Sequence, residues 1–105
     1  MILVKEGVRF RKLIPEIYNI FFALDMVFEN RGVDCVITSA NDSTHSPGSL
    51  HYLDRAIDLR SHHLQDGVDW QVVDELRQIL GADYQVLFED EGMENEHIHL
   101  EWDVK

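Results

Sequence analysis

Two segments of this chain carry the side chains that are best suited to chemistry. Residues 49–60 contain His51 and Asp58, and residues 96–102 contain His99. Two imidazoles and one carboxylate form a ligand set of catalytic zinc sites, in which three protein groups leave a fourth position open for water. The same set also holds iron in non-haem oxygenases. The residue types therefore predict a metal site at His51, Asp58 and His99, with Zn²⁺ as the expected ion.

A hydrolytic zinc site also needs a general base, and Glu96 is the first candidate. It precedes His99 by three residues, and its carboxylate would take a proton from water and pass it to the leaving amine. Because side chains alternate along a strand, Glu96 is suitably placed only if it lies on the loop before the strand. Glu101 has the parity of His99 and is the reserve base. His97 has this parity too, and we predict that it donates a hydrogen bond to the developing oxyanion or to the substrate.

The elements that must position these groups follow from the spacing of apolar side chains. Helical spacing predicts helices at residues 13–31 and 69–80. Short apolar or alternating runs predict strands at residues 34–39, 55–60, 84–88 and 97–102, and polar residues 40–50 predict a loop. This pattern predicts a small α+β domain spanning residues 1–105. We expect a mostly antiparallel sheet of about four strands, with two helices packed on one face and a zinc cleft on the other.

Strand parity explains how distant donor groups can meet. Asp58 and His99 each lie between two apolar residues that must face the core, so both polar side chains face the opposite side of the sheet. If the two strands are neighbours, the side chains stand close together. His51 precedes Asp58 by seven residues, on the loop that enters the strand, and can fold over to complete the set.

Composition and charge restrict the partners of the protein. Nine Lys and Arg against 20 Asp and Glu give a net charge of -11, which argues against a nucleic-acid partner. The longest apolar stretch is too short to span a bilayer, so we expect no membrane insertion. The single Cys35 excludes an intrachain disulfide and is predicted to be buried. Residues 89–91 are interpreted as part of a solvated acidic loop.

The two chemical segments resemble peptidase family M15, which comprises zinc D-Ala-D-Ala carboxypeptidases and phage endolysins with the LAS-type fold. The first family pattern, S-x-H-x-x-G-x-A-x-D, is matched by Ser49, His51, Ala56 and Asp58. The second, E-x-x-H or H-x-H, is matched by Glu96, His97 and His99. The resemblance covers roughly residues 33–102 and agrees in residue type, order and spacing.

This resemblance implies that the substrate is a peptide bond in the stem peptide of bacterial peptidoglycan. It assigns the zinc ligands to His51, Asp58 and His99, and the base to Glu96. Two departures bear on specificity: Asp54 stands where the family has Gly, and no Arg follows Ser39 closely. Endopeptidase action is therefore favoured over recognition of a free D-Ala-D-Ala end, although the bond that is cut stays open.

The N-terminal sequence bears on where the protein acts. The first residues lack the apolar core of a signal peptide, so we expect synthesis in the cytoplasm. Action on the wall would follow release, in the manner of a phage lysis enzyme in an infected bacterium. A monomer is expected.

Two other functions are compatible with the pattern. A zinc-stabilised binding or structural module could use the same fold without catalysis, because function resides in the site and not in the fold. A non-haem iron oxygenase could use the same three ligands.

Overall fold

A computed structural model describes residues 1–40 and 55–103 of the chain. The described elements are five strands and two helices, which together form a small α+β domain. No helix in these two stretches is both long and apolar enough to cross a membrane. The elements in chain order are β1 (Ile2–Val4), α1 (Pro15–Arg31), β2 (Cys35–Ser39), β3 (Ala56–Arg60), α2 (Val68–Leu80), β4 (Tyr84–Glu89) and β5 (His97–Trp102).

The sheet is mixed and has the strand order β1-β2-β3-β5-β4. β1 pairs with β2 in parallel, and the remaining neighbours pair antiparallel. The expectation of about four, mostly antiparallel strands therefore needs correction, since β1 adds a fifth strand and a parallel edge. β1 has only three residues, which is too short for a periodic pattern to reveal it. The predicted loop at 40–50 lies, apart from Ala40, outside the described residues.

Helix α1 begins and ends at residues whose backbone preferences suit those positions. Pro15 occupies the first turn, where its missing N–H costs no helical hydrogen bond. Gly32 adopts φ 65° and ψ 28° and ends the helix, while the N–H of Val33 donates to the carbonyl of Phe28 at 3.2 Å. This is the bonding pattern of a Schellman motif, which favours glycine at the left-handed position. The helix therefore starts two residues later than the spacing of apolar residues predicted.

The hydrophobic core lies between the two helices and one face of the sheet. Alternate residues of the central strands are almost fully buried, and the helices contribute the other half of the cluster. Because these residues alternate along each strand, they all lie on one face of the sheet, and both helices pack on that face. The main strand contributors are Ile37, Ile57, Leu59, Val86, Ile98 and Leu100, and the main helical ones are Ile17, Ile20, Leu24, Phe28, Val72, Val73 and Leu76.

A register shift in β2 changes which side chain stands beside Asp58. Ile37 is the partner of Leu59, whereas Ser39 is the partner of Asp58, so two residues of β2 advance while β3 advances by one. Thr38 is the additional residue of this β-bulge. Ile37 consequently stays in the core while Ser39 lies on the opposite, polar face of the sheet. Bulges of this kind commonly redirect side chains near functional sites.

Cys35 is expected to be inert in the folded protein. Its side chain is 0% exposed, and burial raises the pKa of the thiol to about 12. Since the thiolate is the reactive form, labelling by a thiol reagent at pH 8 should be negligible in native protein and complete in denaturant. Mass spectrometry after timed alkylation measures both rates. Rapid labelling of native protein would contradict the packing of β2 described above.

Candidate metal centre

Asp58 and His99 lie side by side on the polar face of the sheet. They are direct Cα partners across the antiparallel β3–β5 pair. Nδ1 of His99 lies 2.8 Å from Oδ1 of Asp58, and the two side chains are 12% and 16% exposed. The apolar neighbours of both residues along their strands face the core, so Asp58 and His99 face the side of the sheet away from the helices. The structure thus brings together two of the three predicted metal ligands.

The imidazole of His99 lies between two carboxylates. Its Nδ1 contacts Asp58, and its Nε2 lies 2.8 Å from Oε1 of Glu101. Burial alone would lower the pKa of His99, but the hydrogen bonds and charges of Asp58 and Glu101 outweigh it and raise that pKa. Both ring nitrogens face acceptors, so the local field attracts a positive charge to this position, whether a proton or a metal cation.

The chemistry of this pair fits Zn²⁺. Carboxylate oxygen and imidazole nitrogen are both common zinc ligands, and two ligands of a tetrahedral zinc ion lie about 3.3 Å apart. The observed 2.8 Å separation of Oδ1 and Nδ1 is that of a hydrogen bond, so the two groups would have to move apart by about 0.5 Å to share the ion. Among residues 1–40 and 55–103, no three His, Cys, Asp or Glu side chains are grouped to hold a metal. The third predicted ligand, His51, lies outside the described residues.

Glu96 lies on the loop immediately before β5, as a base at this position requires. Its carboxylate, however, accepts hydrogen bonds from Oγ of Ser61 at 2.6 Å and from the N–H of Gly92 at 3.0 Å. The hydrogen bond from the backbone N–H of Gly92 is the main cause that lowers the pKa of Glu96, and the bond from the Ser61 hydroxyl is the second. The charge of nearby His62 lowers this pKa further. Glu96 is consequently ionised at neutral pH, the state that a general base needs, but it is held by Gly92 of its own loop and by Ser61, the residue after β3.

His97 lies on the same sheet face as His99, as its parity predicted, but both of its ring nitrogens have protein partners. Nδ1 donates to the carbonyl of Asn95 at 2.8 Å, and Nε2 lies 3.1 Å from Oε1 of Glu89. An oxyanion role for His97 would require Nε2 to leave Glu89.

The interpretation of Glu89 as part of a solvated loop is wrong. This residue ends β4, opposite His97 in the register of β4 and β5. Its Oε1 atom also lies 3.9 Å from Nδ1 of His99, so Glu89 belongs to the polar face. Counting parity along β4 from Gln85 would have placed it there, since Gln85, Leu87 and Glu89 alternate with the core-facing residues.

Comparison of the chain with models of known protein families, with curated proteins and with solved structures finds no match. Membership of the M15 peptidase family therefore stays a prediction from the two motifs.

Proposed function

We propose that this protein is a zinc peptidase that hydrolyses a peptide bond in the stem peptides of bacterial peptidoglycan. The observation that supports the proposal is the contact between Asp58 and His99 on the sheet face opposite the core. These residues come from two separate motifs, 41 residues apart in the chain, and the peptidase hypothesis requires them to meet. His51 is proposed as the third ligand.

Each side chain has a defined task in this proposal. Asp58, His99 and His51 would hold Zn²⁺, which would supply Lewis acidity to lower the pKa of a water molecule toward neutrality and to polarise the scissile carbonyl. Glu96 would accept a proton as the water oxygen bonds to the carbonyl carbon. It would then deliver that proton to the amine nitrogen as the C–N bond breaks. His97 would stabilise the negative charge that develops on the carbonyl oxygen.

The hydrogen bonds that hold Glu96 between its own loop and the end of β3 favour a second candidate function. A carboxylate that accepts bonds from Ser61 and Gly92 also serves a purely structural purpose, because it ties the loop before β5 to the end of β3. The second candidate is accordingly a zinc-stabilised binding or structural module without catalytic turnover.

The decisive experiment is digestion of purified peptidoglycan by the zinc-loaded protein, followed by mass spectrometry of the released muropeptides. A peptidase should produce new peptide ends in a single bond class, lose this activity in a chelator and regain it when zinc is added back. The mass of the products identifies the bond that is cut. Intact muropeptides with a zinc-loaded, folded protein would reject the peptidase and leave the binding module.

Replacing Glu96 with Gln should separate the two candidates. The amide oxygen of Gln can still accept the hydrogen bond from the N–H of Gly92, but the amide cannot act as a base for water. The value of kcat should therefore fall by about 10²–10⁴-fold. Zinc content and the thermal unfolding midpoint should change little. Glu94→Gln is the matched control, because it makes the same exchange at an exposed position of the same loop and should leave kcat unchanged. Equal activity of Glu96→Gln and wild type would exclude Glu96 as the base.

A further inference from the structure

Glu101 contacts the predicted metal ligand His99 on the side of the ring away from Asp58. The two residues are separated by one position on β5 and so share a sheet face. Oε1 of Glu101 lies 2.8 Å from Nε2 of His99, and the two side chains are only 14% and 12% exposed. The partner of Glu101 on β3 is Ala56, whose single methyl group leaves space for the longer side chain beside it.

The acceptor character of Glu101 decides which nitrogen of His99 carries a proton when a metal is bound. A neutral imidazole has one N–H and one lone pair, and an ionised carboxylate only accepts hydrogen bonds. Without a metal, the contacts to Asp58 and Glu101 each need a proton on the ring nitrogen that they face. With a metal in place of the proton on Nδ1, the bond to Glu101 would keep the proton on Nε2 and leave the Nδ1 lone pair for the metal. Metal-bound histidines commonly donate their other N–H to a carboxylate, which fixes the ring and makes the ligating nitrogen more basic.

We propose that Glu101 is a positioning residue of the metal centre, which holds His99 in the tautomer and ring orientation that present Nδ1 to a zinc ion shared with Asp58. This inference rests on the proposed zinc site, and it assigns Glu101 no contact with the metal or the substrate. In this role the carboxylate stays on His99 and does not serve as a base for water.

The first test is zinc affinity, measured by competition with a chromophoric chelator. Glu101→Ala should weaken zinc binding about 10- to 100-fold, the usual effect of removing such a partner. Glu101→Gln retains an oxygen acceptor without the charge and should lose less than about tenfold. If Glu101→Ala does not fold, Glu101→Met replaces it, because it keeps the length of the side chain without an oxygen.

A charge control is available on the same sheet face. Glu89→Gln removes one negative charge near His99, whose Nδ1 lies 3.9 Å from Glu89, but leaves the bond at Nε2 intact. If Glu101 acts by positioning, Glu89→Gln should lower zinc affinity much less than Glu101→Ala. Equal losses for the two variants would show that only the negative field matters and would overturn the inference.

The second test is a spectroscopic readout that a purely structural role would not change. In zinc-loaded wild type, nitrogen-15 NMR of the histidine side chains should show His99 protonated at Nε2 and ligated through Nδ1. The Nε2–H signal should exchange slowly, persist in Glu101→Gln and disappear into fast exchange in Glu101→Ala. A wild-type His99 ligated through Nε2 would overturn the inference.

The outcomes distinguish this inference from the function on which it rests. Wild type that binds no zinc would end both proposals. Zinc binding with muropeptide cleavage, but with unchanged affinity and Nε2–H signal in Glu101→Ala, would remove only the role of Glu101. Weakened zinc binding in Glu101→Ala, in a protein that cleaves no muropeptide, would support the positioning role and reject the peptidase.

Discussion

Asp58→Asn is expected to abolish hydrolysis of peptidoglycan while leaving the domain folded. Asn keeps the shape of the side chain but replaces the proposed anionic zinc ligand with a neutral group. Since even residues that only support a ligand are worth 10- to 100-fold in metal affinity, loss of the ligand itself should cost at least about 100-fold. If the proposed zinc site is correct, the rate of muropeptide release should fall about a thousandfold or more, because zinc would stabilise the transition state by several kcal/mol.

The measurements for this variant are zinc content by elemental analysis, rate by muropeptide mass spectrometry and folding by circular dichroism. Asp74→Asn is the matched control, because Asp74 lies on α2 with 65% of its side chain exposed, on the other side of the sheet. Elemental analysis of wild type purified without added metal also tests the iron alternative. A folded Asp58→Asn protein with full zinc content and full activity would remove Asp58 from the ligand set.

Leu100→Ala is expected to lower the free energy of unfolding by about 2–5 kcal/mol, the range for leucine truncation in a packed core. Leu100 is 0% exposed and lies on β5 between Ile57 of β3 and Val86 of β4. Whole domains of this size are stable by about 5–15 kcal/mol, so the variant would lose a large share of its stability. Urea denaturation followed by tryptophan fluorescence measures the change.

Leu3→Ala is the control for this truncation. Leu3→Ala removes the same side-chain volume on edge strand β1, where Leu3 is 40% exposed. The free energy of unfolding should therefore fall by less than about 1 kcal/mol. Leu100→Ala also distinguishes an effect on stability from an effect on the site. Leu100 faces the core, while its neighbours His99 and Glu101 face the polar side of the sheet. Folded Leu100→Ala should therefore bind zinc nearly as wild type does. A loss of less than 1 kcal/mol would contradict the central place of Leu100 in the core.

The sequence predicted which way the strand side chains face wherever apolar residues alternate with polar ones. Asp58 and His99 each lie between apolar neighbours, so the need to bury those neighbours determines which way the polar groups face. On this basis the two side chains were predicted to meet if their strands are neighbours. β3 and β5 are neighbours, and the two side chains are in contact. The helices were found for the same reason, with their bounds within two residues of the observed ones.

The remaining features depend on backbone pairing and on contacts between distant residues, which the spacing of apolar residues does not reveal. β1 forms because its backbone pairs with β2, although Leu3 and Val4 stay exposed, so no buried stripe marks it. The orientation of Glu96 depends on Ser61 and on the N–H of Gly92, two partners brought close by the fold and not by the spacing of motifs. Likewise, parity placed Glu101 beside His99, but only the ring contact shows that it binds Nε2.

The position of β3 and β5 inside the sheet has a consequence for how the site responds to thermal fluctuation. Each of these strands is hydrogen-bonded to a neighbour on both sides, in the order β2-β3-β5-β4. Segments of this kind open last, close to the free energy of complete unfolding, whereas edge strands and loop ends fray far more readily. The backbone that carries Asp58 and His99 is therefore expected to keep its spacing while the edges of the domain open. If the proposed zinc site is correct, a departing cation would leave these two donor groups in place for the next one.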